Sequence, residues 1–209
     1  MKHESLKAAG LMTNILHRVV EVQPRRPLRD PGQWDNEGFY VENGVVALFR
    51  YSNSTSRRSI VALYFAGELI QPDAGNFGIV PLRPSDVSVI SDFGKQPFVQ
   101  ELLLDRARLD ASIAREWLAI AGFDCQARVA HLLCEIAVRA GSAPEWMDCQ
   151  LTQHDIADIT SQTSVNVNRV LAELERSGLI ERDGRAISFP DWAEICRVAS
   201  FRPEYLQHD

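Results

Sequence analysis

What this chain lacks narrows the options first. No run of about 18 apolar residues occurs, so no membrane-spanning helix is expected. Residues 1–10 lack the uninterrupted apolar segment of a secretory signal, which points to a cytoplasmic protein. No cysteine precedes Cys125, and the four present (Cys125, Cys134, Cys149, Cys196) follow no CxxC or other metal-ligand spacing. They read as free buried thiols, with no metal or cofactor to hold. No histidine lies between positions 25 and 90. A cupin-like metal enzyme would need clustered His and carboxylate ligands there, so the chain is not read as an enzyme. Excess positive charge is missing too. A net charge of −6 and a pI near 5.4 argue against a protein that coats nucleic acid indiscriminately, leaving room only for a small local patch.

What is present divides into two halves with different periods. The 209 residues allow one large or two small domains, and an apolar fraction of 45% can fill their cores. From about Arg25 to Ile90 the pattern is strand-like: Val46 and Leu48 alternate with Val45, Ala47 and Phe49, and Ile60, Ala62 and Tyr64 with Val61, Leu63 and Phe65. Both alternating sets are apolar, so each strand should be covered on two faces. Asn43-Gly44, between Phe39-Tyr40-Val41 and Val45-Val46-Ala47, predicts a hairpin. Gly67, Pro72, Gly75, Gly78, Pro81 and Pro84 cut the rest into short segments, as in a sandwich or small barrel. Ahead of them, Leu6 to Val20 reads as one modest helix.

From Phe98 the period becomes helical. Leu102, Leu109, Ile113 and Ile120 stand seven, four and seven residues apart, the a/d spacing of one long helix running to about Ala121. This face could lie on the chain's own barrel or pair with a second copy. Arg106 and Glu116 interrupt the neighbouring positions. Gly122 breaks the helix, a second follows over Asp124 to Ala140, and Gly141 to Gln150 reads as a loop.

Residues 151–178 carry the most specific pattern. Thr152 and Asp155 have the spacing of a capping box, so a short helix starts there and stops near Thr160-Ser161. Thr163 or Ser164 caps the next helix, which explains its polar beginning. On a helical wheel Val167, Val170, Leu171 and Leu174 fall together and should be buried. Val165, Asn168, Arg169, Ala172 and Arg176 are left on the open face, and Gly178 ends the helix. Two short helices joined by a tight turn, crossing at Ala157 and Val167, make a helix-turn-helix, with Ser161 where Gly is more usual. Beyond it, two short apolar strands flank Asp183-Gly184, with Arg182 and Arg185 at the tip to reach phosphates. From Gln150 onward there are six arginines and no lysine against ten acids, and four of those arginines fall on this helix and hairpin.

The segment LTQHDIADITSQTSVNVNRVLAELERSGLIERDGRAISF resembles the DNA-binding region of the CRP/FNR family of bacterial transcription regulators. FYVENGVVALFRY and ALYFAGELI resemble that family's glycine-marked hairpin and its Gly-Asp/Glu turn. The resemblance covers nearly the whole chain and implies an α+β fold: a double-stranded β-helix or jelly-roll sensor barrel (1–97), a dimerisation helix (98–122) and a winged helix-turn-helix (123–209). It implies a homodimer on a palindromic operator in double-stranded DNA, seamed through Leu102, Leu109, Ile113 and Ile120, with RNA polymerase as a further partner. The DNA-contacting candidates are Thr152, Thr163, Ser164, Val165, Asn166, Asn168, Arg169 and Arg176, with Arg182 and Arg185 of the wing. Arg169 could fork onto guanine, Asn168 could pair with adenine, and Val165 could touch a thymine methyl.

The departures from the family pattern matter as much. Cyclic-nucleotide-binding members carry Gly-Glu followed by Arg-Ser/Thr, whereas this chain has Gln71-Pro72-Asp73-Ala74-Gly75 at that place and Arg83 followed by Pro84. A cyclic nucleotide is therefore not the expected effector. An iron–sulfur sensor would need N-terminal cysteines, and a haem sensor an axial ligand other than His3 or His17. Val165 also stands where family members often present a glutamate. The alternative reading is a protein-interaction module whose helix-turn-helix binds no DNA.

Overall fold

The computed structural model describes residues 17–33, 37–54, 56–71, 76–93, 99–141, 147–149, 151–184 and 186–207. The chain divides into two compact units, Met1–Ala107 and Arg108–Asp209.

The first unit is built from seven strands: β1 (His17–Val22), β2 (Gly38–Asn43), β3 (Val45–Tyr51), β4 (Arg58–Phe65), β5 (Leu69–Ile70), β6 (Gly78–Pro81) and β7 (Ser85–Ile90). They form two sheets, ordered β1-β7-β2-β5 and β4-β3-β6, with every pairing antiparallel. Val22, Phe39, Val41, Ile70, Val87 and Val89 from the first sheet meet Val46, Tyr64 and Ile79 from the second in one core. This is the double-sheet barrel that the alternating pattern implied.

Two expectations fail here for identifiable reasons. The helix expected over Leu6 to Val20 is replaced at its C-terminal end by β1, which pairs along β7 from His17↔Ile90 to Val22↔Ser85. Val19, Val20 and Val22 are stiff at χ1 and suit a pleated surface better than a helix turn. Residues 6–16 of that expectation lie outside the described residues. The Asn43-Gly44 hairpin is likewise absent. β2 pairs with β7 and β5, whereas β3 pairs with β4 and β6, so the turn carries the chain from one sheet to the other. Gly44 has φ +102°, and a Cβ there would lie 2.1 Å from Ser85 Oγ, so the glycine serves a corner and not a hairpin.

The β4–β5 turn holds Glu68, which accepts the Phe65 backbone N–H at 2.9 Å and lies 2.8 Å from the Arg106 guanidinium. Arg106 belongs to α1 (Val99–Ile120) and also covers the Tyr64 ring, 4.3 Å from its centroid. That buried role accounts for the arginine that interrupts the helix's apolar seam. Residues 72–75 of the expected cassette position lie outside the described residues.

The second unit takes the C-terminal part of α1, then α2 (Cys125–Arg139), β8 (Met147–Asp148), α3 (Gln153–Thr160), α4 (Ser164–Arg176), β9 (Glu181–Asp183), β10 (Ala186–Ser188), α5 (Trp192–Val198) and a 3-10 turn over Pro203–Leu206. Asp124 caps α2 by accepting the Ala127 N–H at 2.8 Å. α2 is the spine, since α3, α4 and α5 all pack on it and most of its residues from Ala127 to Ala137 are buried. β8 extends the expected wing hairpin to three strands in the order β8-β10-β9. It lies inside the stretch that the sequence marked as a loop, and two residues are too few for a period to register.

α2 also buries a polar cluster. Glu135 accepts from Trp117 Nε1 at 2.9 Å, from the Tyr205 hydroxyl at 2.8 Å and from Arg139 at 2.9 Å. Fully buried His131 lies between Tyr205 Oη and the Ala199 carbonyl, 3.2 Å from each. Burial pushes the imidazole pKa down, partly offset by the Ala199 carbonyl and the Glu135 and Glu116 carboxylates. The Tyr205 hydroxyl is pushed well up by burial and by the neighbouring Glu135.

Candidate nucleic-acid interface

The face that could read DNA is assembled by local bonds. Thr152 Oγ1 accepts the Asp155 N–H at 3.2 Å while Asp155 Oδ2 accepts the Thr152 N–H at 3.0 Å, so the capping box forms and α3 starts where expected. Thr152 also donates its hydroxyl to Asp155 at 2.7 Å, which commits that side chain to the cap. Ser161 closes α3 in the left-handed region at φ 56°, ψ 41°. Thr163 Oγ1 then accepts the Asn166 N–H at 3.2 Å and starts α4.

α4 turns the expected face inward: Val167, Val170, Leu171 and Leu174 are its buried residues. Ala157 and Val167 are both buried, as a close helix crossing requires. Val165 is 81% exposed, and Asn168, Arg169 and Arg176 are exposed beside it. Arg169 donates to Asn166 Oδ1 at 3.0 Å and pairs with Glu173 at 3.3 Å, so its guanidinium is held along the helix surface. Asn168 Oδ1 accepts from Gln153 Nε2 at 3.1 Å, and Ser164 shares a hydrogen bond with His154 Nδ1. Asn166 donates to Gln162 Oε1 at 2.7 Å, and Gln162 donates in turn to the Cys125 carbonyl at 3.2 Å. Gln153, His154, Gln162 and Glu173 thus orient the candidate side chains, and of these only the i, i+4 spacing of Arg169 and Glu173 was visible in the sequence.

The wing differs in one respect. Arg182 lies within β9 opposite Ile187, and its Nε donates to Glu175 Oε2 at 3.1 Å. That guanidinium is turned back onto α4, away from the hairpin tip, and holds the Glu175 carboxyl below its usual pKa. Arg185 lies outside the described residues. On α1, Leu109 and Ile120 are only 9% and 1% exposed and Ile113 is half-buried, so the chain itself covers much of the seam picked out by spacing. The Leu102 side chain lies outside the described residues. The open face of α1 instead carries Leu104, Ala107, Ala111, Ala114 and Leu118, with the two leucines 61% and 76% exposed.

Residues 127–198, which span α2 to α5, match the Crp-like helix-turn-helix domain. FixK, a nitrogen fixation regulation protein of Rhizobium meliloti (strain 1021), is 27% identical over 173 residues, 81% of each chain. The chain belongs to the CRP/FNR family of transcriptional regulators. Two solved structures share its fold. FixK2 from Bradyrhizobium japonicum superposes with a TM-score of 0.79 at 18% identity, over 88% of this chain and 98% of that one. A transcriptional regulator of the CRP family from Thermus thermophilus, TTHB099, gives 0.74 at 18% identity, over 87% and 97%. Membership makes the exposed face of α4 part of a DNA-binding helix-turn-helix. No described helix is long and apolar enough to cross a membrane.

Proposed function

We propose that this regulator binds a palindromic operator as a homodimer and reads bases with Val165, Asn168 and Arg169, under a barrel that does not take a cyclic nucleotide. The observation that carries the reading is the combination of exposure and bracing on α4. Three side chains able to contact base edges stand outward together, and Asn168 and Arg169 are pre-oriented by Gln153, Asn166 and Glu173. Ser164, Asn166, Thr163 and Arg176 flank them as phosphate contacts, with Arg185 on the wing. The protein acts in transcription, not catalysis, and RNA polymerase is a natural further partner of such a dimer. Its residence is cytoplasmic.

The seam proposed for the dimer is the open face of α1. Leu104, Ala107, Ala111, Ala114 and Leu118 repeat at alternating three- and four-residue steps, a heptad spacing. From Leu104 to Leu118 it spans about 21 Å at 1.5 Å per residue. Alanines between terminal leucines let two backbones approach closely. Pairing there sets two recognition helices for half-sites about one helical turn apart.

Selection of bound duplexes from a random pool tests the proposal. The expected product is an inverted repeat. Arg169→Ala should relax preference at one base pair per half-site and cost about 1–3 kcal/mol on the selected site. Failure to enrich any sequence, with no DNA retardation even at low salt, would sink the reading.

A further inference from the structure

Cys134 and Cys196 form a feature that DNA recognition does not use. Cys134 projects from α2 and is fully buried, while Cys196 projects from α5 and is half-buried, reached by solvent. The two helices pack on each other and bring the thiols into a hydrogen bond. That bond separates their acidities. Held by the Cys134 S–H, the Cys196 thiol lies below the usual thiol range, whereas the same bond and burial push the Cys134 thiol well up. An accessible nucleophilic sulfur thus has a second, protected sulfur directly behind it.

We propose that Cys134 and Cys196 are a hydroperoxide-reactive dithiol that closes into a reversible disulfide between α2 and α5. The Cys196 thiolate attacks one peroxide oxygen, the O–O bond breaks, and the departing hydroxide takes a proton and leaves as water. Cys196 is then a sulfenic acid. Cys134 gives up its proton and attacks the Cys196 sulfur, forming the S–S bond. The S–O bond breaks, and the leaving hydroxide takes that proton to give a second water. Two thiols and one hydrogen peroxide become one disulfide and two waters, so the peroxide is the oxidant throughout. The sulfurs need only close from hydrogen-bond separation to about 2.05 Å. Because α3 and α4 also pack on α2, the bond forms directly behind the helix-turn-helix. A dithiol restores the pair by exchange.

The competing thiols provide internal controls. Cys125 is half-buried with an Arg128 guanidinium nitrogen 3.7 Å from its sulfur, and Cys149 is buried. The test takes the reduced full-length chain, adds one equivalent of hydrogen peroxide at neutral pH, blocks remaining thiols and maps peptides without reduction. The expected result is a linked Cys134–Cys196 peptide pair lighter by two hydrogens. The other two thiols remain titratable, and dithiothreitol reverses the link. Cys134→Ala should leave a sulfenic acid on Cys196 that dimedone traps, and Cys196→Ser should leave Cys134 unreactive. Oxidation of Cys125 or Cys149 ahead of Cys196, or a Cys196 sulfenic acid that accumulates unlinked in the unmutated chain, would overturn the proposal. The unmutated chain decides the matter even if a variant fails to fold.

Discussion

Replacing Ser161 by glycine should stabilise the second unit. Ser161 closes α3 at φ 56°, in the left-handed region where a Cβ crowds the following carbonyl. That crowding costs about 1–2 kcal/mol relative to glycine, while the freedom glycine adds to the unfolded chain returns about 0.4–1 kcal/mol, leaving a net gain of about 0.5–1 kcal/mol. For a unit of the size of Arg108–Asp209 this corresponds to a rise of about 2–8 °C in its unfolding midpoint. Thermal and urea unfolding followed by tryptophan fluorescence would read it, since Trp117 and Trp192 both report on this unit. Ser161→Ala is the control. It keeps the Cβ and removes only the hydroxyl, so it should stay within about 0.5 kcal/mol of the parent. DNA affinity should not change in either variant, because the turn keeps its path. A midpoint for Ser161→Gly equal to or below that of Ser161→Ala would refute the claim that Cβ strain is stored at this turn.

Tyr205→Phe keeps the ring against Phe201 and His131 but removes a donor from buried Glu135, so it should cost about 1.5–3 kcal/mol in urea unfolding. His131 should make stability fall in mild acid. Its folded pKa is depressed, so below about pH 6.5 the unfolded chain binds a proton that the folded chain refuses, down to the folded value. Urea midpoints between pH 7.5 and 5.5 should therefore drop more steeply in the parent than in a folded His131→Gln variant, and equal slopes would count against it. Leu118→Glu should dissociate the proposed dimer in sedimentation with little effect on the fold. Leu109→Ala should instead weaken folding by about 2–5 kcal/mol, because that side chain lies in the chain's own core.

The parts of this molecule that were legible in the sequence are those decided within one or two helical turns. Thr152 with Asp155, Thr163 with Asn166, and the wheel of Val167, Val170, Leu171 and Leu174 are all local, and each forms as read. What escaped is decided by distant partners. Asn43-Gly44 has the composition of a hairpin, yet the strand that claims β2 is β7, more than 40 residues on, and Ser85 sets the space around Gly44. Tyr205 and Trp117 meet Glu135 from opposite ends of the second unit, and no period in the chain could announce that meeting. The α1 seam shows the same limit. Two apolar stripes coexist on that helix, and spacing alone cannot say which one the chain keeps for itself. Leu109 and Ala111 are two residues apart, about 200° around the helix, and only burial separates them.

Counting arginines along the chain also overstates the positive potential of the proposed DNA face. Of the four counted there, Arg182 is turned onto Glu175, and Arg169 is shared between Asn166 and Glu173. Each of those carboxylates rises from α4 itself, so the offsetting negative charge travels with the recognition helix. A face of this kind gains little from counterion release, and in a chain of net charge −6 that keeps non-specific attraction to DNA weak. Affinity for the right site must then come from contacts that need no net charge: the Asn168 amide, the Val165 methyls, the fork of Arg169, and the doubling of all three across a dimer. Since selectivity is the ratio of specific to non-specific binding, lowering the second term raises it as surely as adding to the first. On the proposed reading, the acidity of the chain and the carboxylates beside its arginines help it to discriminate among DNA sequences.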